Sequence, residues 1–363
     1  MIRFLDLSVN DVDERMDLMA AFESHLDSGQ FIINDQNNKF EQEFARAIAR
    51  NHCVGFGTGT DALIAAIRLL NLPKDSQVIT SCFSWIASAT SIKLAGCHPL
   101  YVDIDKSLQI CLVQLEKLLK SHSSRVLLVP HLHGNVSTLS DLRFLQSKYG
   151  LQIIEDCAQS YMARDINDEL SGSLGVISAF SFNAMKTLGA LGDAGAIVFD
   201  DPNLIERAKC LRHSGMKGSS GRSFELTTNS RLDELQSSFL RVKMRYFDAK
   251  KAKKREIASI YLKKLSNYIS PVVTSPENSN YYCFQALCPS RDSLMEYLEG
   301  KGIETKIRHD FLIPDNPAMS YRGPDFPRSR EFLSQILCIP LHHNMSVKEA
   351  HFVADNIINF YNR

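Results

Sequence analysis

One feature restricts the fold more than any other: from about residue 55 to 205, short apolar runs alternate with stretches of helical period. The runs 77–80, 99–102, 126–130, 152–154, 179–182 and 196–199 read as buried strands, and 61–71 and 138–148 read as helices between them. Continuous apolar runs of this length belong to strands covered on both faces, so the pattern predicts a mostly parallel sheet sandwiched by helices. A charged stretch of helical period, 233–265, follows and leads into a smaller region of mixed α/β character. We therefore expect an α/β fold with two parts. Residues 1–240 form a large domain with an N-terminal arm, and 241–363 supply a long connecting helix and a small C-terminal domain.

Composition removes several function classes. Of the 363 residues 44% are hydrophobic, enough for sizeable cores. The 41 basic residues balance the 41 acidic ones, which gives no electrostatic footprint for nucleic acid. No apolar run is long enough to span a bilayer, and the acidic first residues lack the apolar core of a signal peptide, so a cytoplasmic location without membrane contact is expected. Nine scattered cysteines read as reduced, buried and structural, and no metal site is expected. The basic run Lys250–Arg255 reads as a solvated helix face, and His342-His343 as a surface loop.

Three segments can carry chemistry. The first, Gly55-Phe-Gly-Thr-Gly-Thr60, opens a predicted helix, where glycines admit an anion to free amides at the positive end of the helix dipole. Its spacing departs from the dinucleotide fingerprint, since Thr60 stands where a third glycine is required. The second, Glu155-Asp156-Cys-Ala-Gln159, places two carboxylates after a predicted strand, on the side where open α/β sheets bind ligands. Taken alone it reads better as a surface acidic pair. The third places Lys186 between the apolar run ending at Phe182 and the glycines 189, 192 and 195. A lysine in apolar surroundings loses solvation and becomes a competent nucleophile towards carbonyl groups.

In this order, and together with Phe40-Glu-Gln-Glu-Phe-Ala45, Leu188-Gly-Ala-Leu-Gly-Asp193 and Asn229-Ser-Arg-Leu-Asp-Glu-Leu-Gln236, these segments resemble the DegT/DnrJ/EryC1/StrS sugar aminotransferases, of aspartate-aminotransferase-like fold. The resemblance implies pyridoxal 5'-phosphate as cofactor, with Lys186 as the Schiff-base lysine and Asp156 as partner of the pyridinium nitrogen. It further implies Gln159 beside the ring's phenolic oxygen, Gly59, Thr60 and Ser181 around the phosphate, and Trp85 stacked on the ring. Asn229 would reach the phosphate of a neighbouring subunit, which implies a homodimer. The implied substrates are a nucleotide-linked keto-deoxysugar, with a lean towards amination at C-3, and an amino donor, usually glutamate.

The sequence departs from the family pattern at two places. Ser160-Tyr161 follows Ala-Gln where a histidine is usual, and Arg308-His-Asp-Phe-Leu-Ile-Pro-Asp315 replaces the usual substrate-wall motifs. Arg308 and His309 are the substrate candidates in that stretch, and His131 and His133 read equally as pocket-lining or structural. Two other readings stay open from sequence: a sugar dehydratase of the same fold, and a cofactor-binding regulator without catalysis.

Overall fold

The computed structural model describes residues 1–218 and 221–363. After an extended arm the chain forms α1 (Val12–Ser28), α2 (Asp35–Ala47), β1 (His52–Phe56), α3 (Gly59–Leu69), β2 (Gln77–Ser81), α4 (Ala87–Leu94) and β3 (His98–Val102). It continues with α5 (Leu112–Ser121), β4 (Val126–Pro130), α6 (Leu139–Tyr149), β5 (Gln152–Asp156), β6 (Ile177–Ser181), β7 (Gly195–Phe199) and α7 (Ile205–Arg212). The long α8 (Glu234–Leu265) leads to β8 (Ser270–Pro271), β9 (Phe284–Leu287), α9 (Arg291–Glu299), α10 (Pro327–Leu333), β10 (Ile336–Ile339) and α11 (Val347–Tyr361).

The main sheet has seven strands in the order β1-β7-β6-β5-β4-β2-β3. Neighbours from β6 to β3 pair in parallel, while β7 runs antiparallel to both β6 and β1. All six predicted strands are present. The sequence reading missed β1, because its Cys53, Val54 and Phe56 are interrupted by glycine and bounded by polar residues.

Side chains of a strand alternate between faces, and both faces here are buried. On β5, Ile154 joins the core under α3, while Ile153 joins the core under α5 and α6. On β7, Ile197 and Phe199 enter the first core, whereas Ala196 and Val198 enter the one built with Phe40 and Phe44 of α2. The register of β5 thus decides that Glu155 and Asp156 face opposite layers. A separate core gathers Ile257, Tyr261 and Leu265 of α8 with the three-stranded sheet β10-β9-β8 and with α9 and α11.

The N-terminal arm is tied to the segment after α9. The Ile2 amide donates to the Gly302 carbonyl at 2.7 Å, the Glu304 amide donates to the Ile2 carbonyl at 2.9 Å, and the Phe4 amide donates to the Glu304 carboxylate at 2.9 Å. Among the described residues no helix is long and apolar enough to cross a membrane.

Two sequence readings need correction. The run 250–255 is not a uniformly solvated face: Lys254 is buried and donates to the Tyr281 carbonyl, because α8 is covered there by the 279–283 segment. His342 is buried as well, at 7% exposure. The cysteines are as expected, with eight of nine buried and none in a disulfide.

Candidate active site

A cavity of about 700 Å³ opens at the carboxyl ends of β4, β5 and β6, beside the start of α3. This is the crevice that an open α/β sheet offers to ligands. Its lining includes Gly59, Thr60, Trp85, Asp156, Gln159, Ser181, Lys186, Arg308 and His309, so nine of the ten residues singled out in the sequence come together.

One end is the start of α3. Thr58 is the cap: its hydroxyl accepts from the Asp61 amide at 3.0 Å. The amides that follow, at Gly59 and Thr60, begin the helix and have no carbonyl of an earlier turn to bond. Gly59 is required by close approach, since a Cβ there would lie 2.5 Å from the Ser181 Cβ at the end of β6. Gly195 is required likewise, since its Cβ would lie 2.3 Å from the Thr58 carbonyl oxygen. Gly59 and Gly195 are therefore what allows β6, β7 and the start of α3 to come together.

Asp156 ends β5 at the other end of the cavity. Its carboxylate accepts from the Ser88 hydroxyl at 3.0 Å and from the Ala158 amide at 3.1 Å. Burial pushes its pKa up, against the pull of these hydrogen bonds and of the Lys186 charge. Ser88 was not found from the sequence. The available signal was its place four residues after Ser84, one helical turn along, and the two hydroxyls lie 2.9 Å apart.

Lys186 sits in the loop that doubles back from β6 to β7, which is closed by Phe182 donating to Ala194 and by Ala190 donating to Phe182. Burial lowers its pKa to about 8, although Asp156 draws it upward. Its Nζ lies 5.2 Å from the ring centre of Tyr282, another wall residue that sequence reasoning missed. Arg308 stacks on the same ring, 4.6 Å from its centre, and bonds the Tyr282 hydroxyl. His309 is buried, with Phe83 edge-on at 5.0 Å and Nε2 without a partner. Trp85 is 59% exposed at the cavity rim, which excludes a place in the core.

The remaining candidates separate. The Gln159 side-chain oxygen accepts from the His133 amide at 2.8 Å, so His133 acts through its backbone, and its ring lies outside the cavity lining. His131 lines the cavity, but its Nε2 lies 2.9 Å from Glu155. Glu155 also accepts from the Gly172, Leu174 and Gly175 amides and from the Ser178 hydroxyl. Burial raises its pKa, but His131 and these amides outweigh burial and hold it down at about 2. His131, Glu155 and Cys157 bring possible metal-ligand atoms within 4.8 Å of one another. With five donors on its two oxygens, this carboxylate is already committed to tying the 172–175 loop to β5.

Asn229 also lies outside the cavity. It is exposed, and its strand-like segment pairs with His213. α8 begins five residues after Asn229, with Asp233 as its cap residue. The first two residues of the polar loop 219–228 that precedes Asn229 lie outside the described residues.

The model of the DegT/DnrJ/EryC1/StrS aminotransferase family matches residues 12–358. The chain belongs to this family. Among its relatives is the dTDP-3-amino-3,6-dideoxy-alpha-D-galactopyranose transaminase of Aneurinibacillus thermoaerophilus, 32% identical over 98% of this chain and 99% of the relative. Another is the erythromycin biosynthesis sensory transduction protein EryC1 of Saccharopolyspora erythraea, 33% identical over 98% of both chains. Among solved structures, DesV of S. venezuelae in complex with a ketimine intermediate superposes with a TM-score of 0.93 at 31% identity, over 100% of this chain and 99% of DesV. The aspartate-aminotransferase-like expectation for the fold thus holds.

Proposed function

We propose that this family member is a pyridoxal-phosphate aminotransferase that moves an amino group from glutamate to C-3 of a nucleotide-linked keto-deoxysugar. The observation that carries the reading is the convergence of a lysine of lowered pKa and a buried carboxylate on one cavity that also holds a helix start with free amides. These residues fit the cofactor. The amides of Gly59 and Thr60 and the Ser181 hydroxyl suit its phosphate, Asp156 its ring nitrogen, Gln159 its phenolic oxygen, Trp85 the face of its ring, and Lys186 its carbonyl carbon.

When bound, pyridoxal phosphate supplies an electron sink for the carbanion formed at the reacting carbon. The protein supplies the rest. Asp156, held by Ser88 and Ala158, would pair with the cofactor's ring nitrogen and keep a proton on it. Lys186, when not linked to the cofactor, takes a proton from the donor's α-carbon and returns one to the sugar-derived carbon. Burial favours its neutral amine, the form that accepts a proton. Arg308, held by Tyr282, and His309, with Nε2 unpartnered, face the substrate side of the cavity.

Asn229 serves the site of a second copy in this reading, and the enzyme is a homodimer. Its exposure, and that of Phe224, Leu226, Met185 and Leu191, suits a surface that another chain covers. We place the boundary between the two domains at residues 240 and 241, within α8. A dehydratase or a non-catalytic regulator is disfavoured, because Lys186 is present with the surroundings that transamination requires. The test is incubation with glutamate and candidate nucleotide-linked keto-sugars. Mass spectrometry and NMR should show nitrogen at C-3 of the product, and failure to aminate any of them would overturn the reading.

A further inference from the structure

A second, smaller cavity of about 80 Å³ adjoins the first and shares Lys186 and Tyr282 with it. Its walls are the loop 184–189, the arm residues 5–9, α8, and the 341–343 turn. Three lysines of α8 line it, at spacings of seven and four residues that put them on one helix face. Lys250 pairs with the buried Glu14 at 2.5 Å. Lys243 and Lys254 have carbonyl partners only, Gly189 and Tyr281, each at 2.7 Å. Among the described residues neither has a carboxylate within 4.0 Å, and Asp6, also in the wall, is engaged by Ser8 and Arg3.

Buried ammonium groups without a counter-charge are rare, because carbonyl dipoles do not replace lost hydration in full. Burial lowers both: the fully buried Lys254 to about 7, and the half-buried Lys243, which Glu14 partly draws back up, to about 8. An independent feature points the same way. His342 lines this cavity at 7% exposure with Nδ1 unpartnered, and the Thr187 hydroxyl, next to Lys186, is buried and unpartnered too. The cavity therefore has cationic and hydrogen-bonding walls, unmet polar atoms, and space for a few water-sized groups.

We propose that this second cavity binds a small monovalent anion of carboxylate type, held by Lys243 and Lys254 with Thr187 beside it. Two sources share that chemistry: a free small anion, and the distal carboxylate of a dicarboxylic amino donor. Either would place negative charge next to Lys186, so occupancy of this cavity adjusts the amine of the larger one. The inference rests on the proposed role of Lys186 only for that consequence.

The test uses cofactor-loaded protein at fixed ionic strength and compares formate with a bulky sulfonate buffer anion. Formate should raise Tm over the sulfonate by on the order of 2 °C. Lys243→Met and, separately, Thr187→Val should lose that increment; the first removes a buried charge and the second keeps shape, so one of them retains the fold. Equal Tm in both anions, or an increment unchanged in both variants, overturns the site. Formate inhibition competitive with glutamate assigns the cavity to the donor's carboxylate, and inhibition that leaves the KM for glutamate unchanged assigns it to a free anion. Absorbance of the lysine-linked cofactor is recorded alongside. If that band is absent while formate still stabilises the protein, the reading of Lys186 fails and the anion site stands.

Discussion

Glu155 and Asp156 are bonded neighbours that face opposite layers of the sheet: Asp156 meets Ser88 and the cavity, while Glu155 meets His131 and three amides of the 172–175 loop. Their substitutions should therefore fail in different ways. Asp156→Asn should keep the fold and slow turnover roughly 10²–10³-fold, since asparagine cannot hold a proton on the ring nitrogen. Glu155→Gln should lower stability by about 3 kcal/mol, as expected when one partner of a buried ionic network is lost. Thermal melts and steady-state rates on both variants check the pair; the opposite pattern would mean the roles are exchanged.

Glu155 also sets an acid limit. Its folded-state pKa, about 2, lies below the ordinary value of 4.5. The stabilisation is thus complete above about pH 4.5 and is lost as pH falls through 2. A pH series of melts should show this acid loss in the parent and a flatter slope in Glu155→Gln.

Lys186→Ala should abolish transamination and the absorbance of the lysine-linked cofactor. Retention of cofactor alone decides nothing, because the proposed phosphate contacts at α3 would survive. For the parent, the rate of cofactor reloading into the stripped enzyme should rise with pH and level off above about 8, where the Lys186 amine is neutral. Stopped-flow absorbance measures this, and a rate that falls with pH would contradict it.

Gly59→Ala puts a methyl group where Ser181 already stands. Relieving that overlap costs about 1–3 kcal/mol and displaces the amides next to it. Cofactor affinity should fall about tenfold or more, measured by titration of the stripped protein.

Asn229 tests the composite site. Lys186→Ala and Asn229→Ala chains, each inactive or weak alone, should regain activity when their subunits exchange. One of the two sites in each mixed dimer then carries neither defect. No recovery would mean that Asn229 acts within its own chain.

The strands were legible because each of the six that were read is a short, largely apolar run set between stretches of helical period. β1 was not, because Gly55 and the polar residue His52 break its run, and its strand character comes from pairing with β7. Lys186 stood out in sequence through the apolar, glycine-rich stretch around it, whereas Asp156 was told from Glu155 only by the resemblance to the family. Ser88, Tyr282 and the buried Lys254 were not, because each is placed by an element distant in sequence. His342 misled for the same reason. It looks like part of a polar turn until the N-terminal arm is laid over it.

The pairing of Ile2 with Ile303 gives the protein a time order. A ribosome releases the first residues early, yet their partners at 302–304 emerge some three hundred residues later. At about 5–20 residues per second this is a delay on the order of 15–60 s. Throughout it Phe4, Leu5 and Leu7 have no wall to complete, and the α8 lysines lack their cover. The nascent chain can assemble its sheet while the chamber is still open on one side, and that side closes only once residues 302–304 have emerged.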